Sequence, residues 1–349
     1  MRGEYKESGQ KLVSVGLTPD GAQVGAAQIA GDFFAEPDDV IGRLQSSLEG
    51  LPLDASLGFV EETLEQALLP SDVLFGVTPK GIATAFRRAA GGAVNWEDLD
   101  FEVIHGPVLS PVANVALDET LVESVARGDR APFLRIWEWD SPQIVIGSFQ
   151  SYENEINPEG VEKHGITVVR RVSGGGAMFM EGGNCITYSL VVPTALVEGM
   201  SFQDSYAYLD QWVMEALREV GVEATYVPLN DIASPAGKIG GAAQKRFANG
   251  YTLHHVTMAY DIDAVKMGEC LRIGKEKIRD KGLRSAVKRV DPMRSQTGLP
   301  RGQIIDVFKR VFADRYGAKP GSLTEADVEL ASQRVETKFA TPEWTHRVP

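Results

Sequence analysis

Apolar positions along the chain fall into two stretches of different texture. In residues 1–100 they come first as short alternating runs and then at helical spacing. "KLVSVGLTPDGAQVGAAQIAGDFF" (11–34) reads as two strands about a turn supplied by Asp20-Gly21. "PDDVIGRLQSSLEGLPL" (37–53) puts Val40, Ile41 and Leu44 on one helical face behind Pro37. "LGFVEETLEQALL" (57–69) and "PKGIATAFRRAA" (79–90) predict two more helices. "GGAVNWEDLD" (91–100) is glycine followed by polar chain and reads as a linker, so a boundary is expected near residue 95.

Beyond it, helical and β-branched runs alternate. "NVALDETLVESVAR" (114–127) predicts a helix, "FLRIWEW" (133–139), "QIVIGSF" (143–149), "ITVVRRV" (166–172) and "CITYSLVVP" (185–193) predict strands. "SFQDSYAYLDQWVMEALREVGV" (201–222) predicts one long amphipathic helix, and "YTLHHVTMAYDI" (251–262) returns to strand. The tail reads as helical around "IIDVFKRVFADRYG" and "EADVELASQRVETKF". This pattern is α/β, more closely α+β, with strands paired around few helices. The expected division is a small α+β domain over 1–95 and a larger domain with mixed sheets over 96–349.

The segment "RRVSGGGAMFMEGGN" (170–184) interrupts two apolar runs with three glycines. Polar chain would flank a linker, whereas here "GITVVRRV" precedes the glycines and "AMFM" and "CITYSLVV" follow. A tight loop between core strands is therefore expected. Glycine lets backbone N–H groups approach a ligand, and successive N–H groups form an anion nest. Arg170 and Arg171 enter from the preceding strand on opposite faces, so at most one points at the loop and the other is expected in a structural ion pair. A second constellation, "LNDIASPAGKIGGAAQKR" (229–246), roots Lys238 between a turn and a glycine pair.

Charge and cysteine content narrow the classes. Net charge is −13, and residues 1–100 hold 7 Lys+Arg against 16 Asp+Glu. Such a chain is a poor nucleic-acid binder, so any anion must be held locally. No transmembrane run or signal sequence is read, which makes the cytoplasm the expected location. Two cysteines and five histidines show no metal-ligand spacing, and free buried thiols are expected.

At these residues the chain resembles the lipoate–protein ligase family, within the wider lipoyl/biotinyl ligase and octanoyltransferase group. The resemblance rests on an ordered set: "ALDETL" (116–121), "PQIVIGSFQSYENEIN" (142–157), "VVRRVSGGGAMF" (168–179), "GGN" (182–184), "NDI" (230–232), "GKIGGAAQ" (237–244), "LHHVT" (253–257) and "KGLRSAVKRV" (281–290). The first hundred residues resemble that family's accessory domain, placed ahead of the catalytic domain as in a circular permutation or gene fusion.

The resemblance implies a biotin/lipoyl-ligase-like catalytic fold and a two-step reaction using ATP, Mg²⁺ and lipoate. Lipoyl-AMP forms first, and a lysine of an acceptor then takes the acyl group. The implied acceptors are lipoyl domains of 2-oxoacid dehydrogenase complexes, the glycine cleavage carrier protein or another lipoylated carrier. Lys238 is implied as the electrophilic stabiliser of both steps. Ser173, Gly174, Gly175, Gly176, Ala177 and Phe179 would line the acyl and phosphate pocket. Arg171, and next to it Arg170, would meet phosphate or carboxylate. Asn184, Asn230 and Asp231 would serve the nucleotide, with Asp231 on its magnesium, and His255 would floor the acyl pocket. Val172, Met178, Phe179 and Met180 are expected as pocket walls. At about 0.8 kcal/mol per buried CH₂, the acyl chain supplies on the order of 5 kcal/mol without distinguishing octanoate from lipoate.

One departure stands out: Met180-Glu181 occupy the place where the family commonly has histidine and aspartate. Two rival readings share the resemblance. An acyltransferase working from a carrier protein needs a cysteine at the acyl pocket, but Asn230-Asp231 and Tyr251 stand where those enzymes keep it, and Cys185 and Cys270 lie elsewhere. A non-catalytic binder of acyl-AMP or acceptor is the other, and the presence of Lys238 argues against it.

Overall fold

The computed structural model describes residues 1–7, 9–272 and 290–349. Of the motif at 281–290, only Val290 lies within the described residues. The chain divides into two compact units, Met1–Leu99 with Thr194–Tyr208, and Asp100–Pro193 with Leu209–Pro349.

In the first unit, β1 (Arg2–Lys6), β2 (Leu12–Asp20) and β3 (Gln23–Gly31) form an antiparallel sheet in that order. The helices Val40–Leu48, Leu57–Ala67 and Pro79–Gly91 form as the spacing predicts. A two-stranded ribbon of β4 (Phe34–Glu36) and β5 (Val73–Phe75) completes the unit's sheets. Helix Pro79–Gly91 starts on a Thr78 cap that accepts from Gly81 N and stops at Gly92, whose φ of 68° favours glycine. From this helix Arg88, fully buried, donates to the carbonyls of Glu4 (2.6 Å), Leu196 (2.6 Å) and Val94 (2.9 Å). Segment 194–208 thereby belongs with this unit, an excursion that local patterning does not reveal.

The second unit is built on an eight-stranded mixed sheet. Its strands are β6 (Glu102–Leu109), β7 (Phe133–Trp139), β11 (Cys185–Pro193), β12 (Thr225–Val227), β13 (Asp231–Ala233), β14 (Lys238–Arg246), β15 (Tyr251–Ala259) and β16 (Lys319–Gly321). Their order is β12-β13-β14-β15-β11-β7-β6-β16, parallel only at β6 with β7 and β16. A second sheet sets β8 (Gln143–Ile146) between β9 (Thr167–Arg170), parallel, and β10 (Met178–Met180), antiparallel. The helix Pro111–Ala126 is buried on nearly every face, which is why its apolar positions lack a one-sided stripe. Two of its acids are answered by cations: the buried Glu119 by Arg334 and Lys338, the partly exposed Glu123 by Arg334.

The long helix expected over 201–222 is two helices, Phe202–Leu209 and Gln211–Glu219. The break falls at Asp210, whose buried carboxylate accepts from Tyr188 Oη and pairs with His254 Nε2, both at 2.6 Å. A charged side chain drawn into the sheet costs the continuous helix less than an unpaired carboxylate would. Among the described residues no helix is long and apolar enough to cross a membrane.

Candidate active site

The glycine loop joins β9 to β10, between core strands as expected. Its shape is set by Arg171, which donates from Nη2 to the carbonyls of Gly174 (2.6 Å) and Gly176 (2.9 Å), from Nη1 to Val145 O (3.1 Å) and from Nε to Ser173 Oγ (3.0 Å). Gly175 has φ of 92°, and a Cβ there would sit 3.0 Å from Arg171 Nη2. Because a trans peptide opposes its N–H to its C=O, the N–H groups of Gly175 and Ala177 point away from the guanidinium. On the other side Gly147 lets the loop pass: a Cβ at 147 would lie 2.2 Å from Gly175 O.

A cleft opens beside this loop, with about 560 Å³ of space between protein atoms, its open mouth included. Arg171, Gly176 and Ala177 form one wall, and Asn230, Lys238 and Gly241 the polar end. Trp137, Val145, Met178 and Met180 supply apolar surface, and Thr187, Thr257 and His255 a polar strip. Lys238 Nζ lies 2.7 Å from Asp231 Oδ1, with the lysine side chain 43% exposed. Gly241 gives the ammonium its room, since a Cβ there would lie 3.1 Å from Nζ. Asn230 is spent locally: its Nδ2 donates to Ala242 O (2.6 Å) and its carbonyl accepts from Ala242 N (2.8 Å).

Behind the cleft, four strands carry one row of side chains. Arg135 is in register with Ser189, Ser189 with His255, and His255 with Ala243. Asp118, from the helix Pro111–Ala126, covers this row. Its Oδ1 accepts from Arg135 Nη2 (2.8 Å) and Ser189 Oγ (2.7 Å), and its Oδ2 meets His255 Nδ1 (2.9 Å). Burial pushes the Asp118 carboxyl up, but the hydrogen bond from His255 and the Arg135 guanidinium outweigh it and hold it below the usual range. His255 Nε2 then meets Ser173 Oγ at 2.5 Å. Burial lowers the His255 imidazole, Asp118 opposes this, and the net shift is downward. The adjacent His254 points through the other face to Asp210, as strand alternation requires.

Several expected site residues lie elsewhere. Arg170 is fully buried away from the cleft and donates to Gly147 O (2.9 Å), Gln150 O (2.7 Å) and Thr345 O (2.9 and 2.7 Å). It fastens the C-terminal segment to the turn after β8 through carbonyls, rather than through the ion pair expected of the arginine off the loop. Phe179 packs with Ile144, Ile146 and Ile156, because alternation in β10 turns it opposite to Met178 and Met180. Val172 also packs in the core. Asn184 is a buried turn residue whose Oδ1 accepts from Glu181 N (2.7 Å) and whose carbonyl accepts from Tyr260 N (2.8 Å). Ser173 Oγ faces His255 rather than the cleft, and Gly174 and Gly175 shape the loop behind the lining.

Asp118, Arg135, Trp137, Thr187 and Thr257 escaped the sequence reading. "ALDETL" held the only signal, an acid amid helix residues that prove buried. Both cysteines are free and buried. Cys185 donates to Phe179 O (3.7 Å), and burial pushes its thiol well above the ordinary value. Among the described residues no group of three or more His, Cys, Asp or Glu could hold a metal ion.

The model of the lipoyl protein ligase A/B catalytic domain family matches residues 110–315. A probable lipoate-protein ligase A of Mycoplasma pneumoniae is 28% identical over 69% of this chain and 70% of its own length. An octanoyltransferase LipM of Halalkalibacterium halodurans is 27% identical over 68% of this chain and 95% of its own. Among solved structures, a bi-partite lipoate protein ligase of Thermoplasma acidophilum, described with its E2 lipoyl domain, covers 72% of this chain and 98% of its own at 25% identity and a TM-score of 0.62.

Proposed function

The chain belongs to the lipoyl protein ligase A/B catalytic family, and from that premise we propose that it is an ATP-dependent ligase joining lipoate or octanoate to a lysine of a lipoyl acceptor domain. The observation that carries this reading is Lys238. Its ammonium stands at the polar end of a cleft that also has an apolar wall, and among the described residues no cysteine lines it. A carboxylic acid fits that polarity, its chain along Trp137, Val145, Met178 and Met180 and its head toward Lys238. ATP then has its α-phosphate at the same end.

In the first step a carboxylate oxygen forms a bond to the α-phosphorus while the bond to pyrophosphate breaks, giving acyl-AMP. In the second, a neutral acceptor lysine attacks the acyl carbonyl, AMP leaves with the bridging oxygen, and the amine proton passes to solvent. Negative charge builds first on the phosphoryl oxygens and then on the acyl oxygen. Lys238, with the N–H group of Ala177 in the cleft wall, supplies fixed positive charge for both, which is where preorganised donors act most strongly. Magnesium would arrive with the nucleotide, and Asp231, already beside Lys238, would be the nearby carboxylate to hold it. The unit over 1–99 is proposed as the family's accessory domain.

Resemblance to octanoyltransferases supports transfer from an acyl carrier as the second reading. That chemistry needs a thiolate, and burial of both cysteines speaks against it. Exchange of labelled pyrophosphate into ATP separates the two. Exchange dependent on lipoate or octanoate is expected, and its absence with either acid would remove the adenylation step.

A further inference from the structure

For a neutral His255, the chain Arg135–Asp118–His255–Ser173 favours one assignment of protons. Asp118, its carboxyl held below the usual range, accepts from Arg135 and Ser189 on Oδ1 and faces His255 Nδ1 with Oδ2. His255 therefore carries its proton on Nδ1, which leaves Nε2 as an acceptor. Ser173 Oγ already accepts Arg171 Nε–H, so its own proton goes to Nε2. The row is rigidly backed. Arg135 also donates to Asn114 Oδ1 (2.9 Å) and stacks on Trp137 at 4.8 Å, and Trp137 Nε1 donates to Ser189 Oγ (2.8 Å). The arrangement looks like that of a serine hydrolase, but Ser173 is 1% exposed and its hydroxyl points behind the cleft wall. It is not placed to attack an acyl group. What it does hold is the residue at which the glycine loop begins.

We propose that Asp118 and His255 are positioning residues for acyl activation: neutral His255, fixed as the Nδ1–H tautomer by Asp118, takes the Ser173 hydroxyl proton and so anchors the start of the glycine loop. Protonating His255 would set a second donor against Ser173, whose own proton would lose its acceptor, and place a cation beside Arg171. Asp118 from the helix and Arg135 from β7 face the ring directly. Arg171 approaches from the loop, and Lys238, paired with Asp231, lines the same cleft from β14. From β11 the ring's neighbour is the uncharged Ser189, and His254 on the same strand turns to Asp210. The net of burial and these neighbours lowers the imidazole from its ordinary value.

The kinetic part of the test rests on the ligation reading, while the tautomer does not. Nitrogen-15 NMR of histidine-labelled protein, whose chain has five histidines, is expected to show His255 as the Nδ1–H form, neutral at pH 6.5. Asp118→Asn is expected to lose that form and to lower acid-dependent pyrophosphate exchange by about 10²-fold, the cost of a small misplacement. His255→Gln, whose amide oxygen can take the Ser173 proton, should keep most of the rate and lose the decline expected of the wild type on acidification. His255→Ala should lose the rate. An Nε2–H tautomer in the wild type, equal rates for the Gln and Ala variants, or parallel pH profiles for wild type and His255→Gln would overturn the proposal. If the wild type shows no exchange, the ligation reading fails and the tautomer alone decides the relay.

Discussion

In the proposed reaction Lys238 is the residue on which the chemistry turns, and its surroundings say why Gly241 stands near it. The ammonium reaches the cleft only because Gly241 leaves space and Asp231 steadies it. Lys238→Ala is expected to lower the single-turnover acylation rate by about 10²–10³-fold, roughly 2.7–4 kcal/mol of lost stabilisation of developing charge. ATP binding by calorimetry should persist, and an unchanged rate would show that the charge is met by another group. That Lys238 is rooted between a turn and glycines was a local pattern, but its role was expected only through the family resemblance. Arg170 and Arg171 were less legible: alternation says that they diverge, but not that Arg170 finds the carbonyl of Thr345, 175 positions away. The Ser173–His255 bond spans 82 positions, and nothing near either residue announces it.

At the scale of elements, the loop works because three segments agree on its shape. Arg171 holds its carbonyls, the row behind β15 holds Ser173, and the turn after β8 gives way at Gly147. Gly147→Ala puts a Cβ against Gly175 O, and flexible side-chain adjustment cannot relieve a backbone clash. The loop must shift, so kcat/KM for lipoate is expected to fall by about 10²-fold, with thermal unfolding showing a loss of about 1–3 kcal/mol. Wild-type kinetics in this variant would mean that the loop's observed path is not the working one. Many strands and helices were legible from their periods, the central strands β7, β8, β11 and β15 through their buried apolar runs. The exceptions are instructive. β4, β5, β12, β13 and β16 are three-residue strands too short to show a period, β1 is too polar, β6 and the glycine-rich β14 were not read as strands, and the helix over 201–222 hides its break behind continuous amphipathic spacing. Only the partners of Asp210 reveal why it stops.

For the whole molecule, charge links function to stability. Glu138, half-buried, is pushed up by burial but pulled lower by His105 and Arg301, and it joins Asp118 among the acids held below their ordinary values. An acid depressed in the folded state contributes stability above its unfolded value and loses it as pH falls through the folded one. His255 acts in the same direction from nearer neutrality: unfolded chain takes up its proton at about pH 6.5, before the folded protein does. Calorimetric Tm is therefore expected to decline on acidification below about pH 6.5 and more steeply through the carboxylate range. A Tm that rises as pH falls from 6.5 to 5 would contradict these assignments. The central claim is chemical, and intact mass of an apo-acceptor domain tests it most directly. The acceptor is incubated with the protein, magnesium, ATP and lipoate or octanoate, and in parallel with octanoyl-carrier protein and no ATP. A mass gain that requires both ATP and the free acid is the predicted result. A gain from the carrier protein alone, indifferent to ATP, would contradict it and make the chain an acyltransferase.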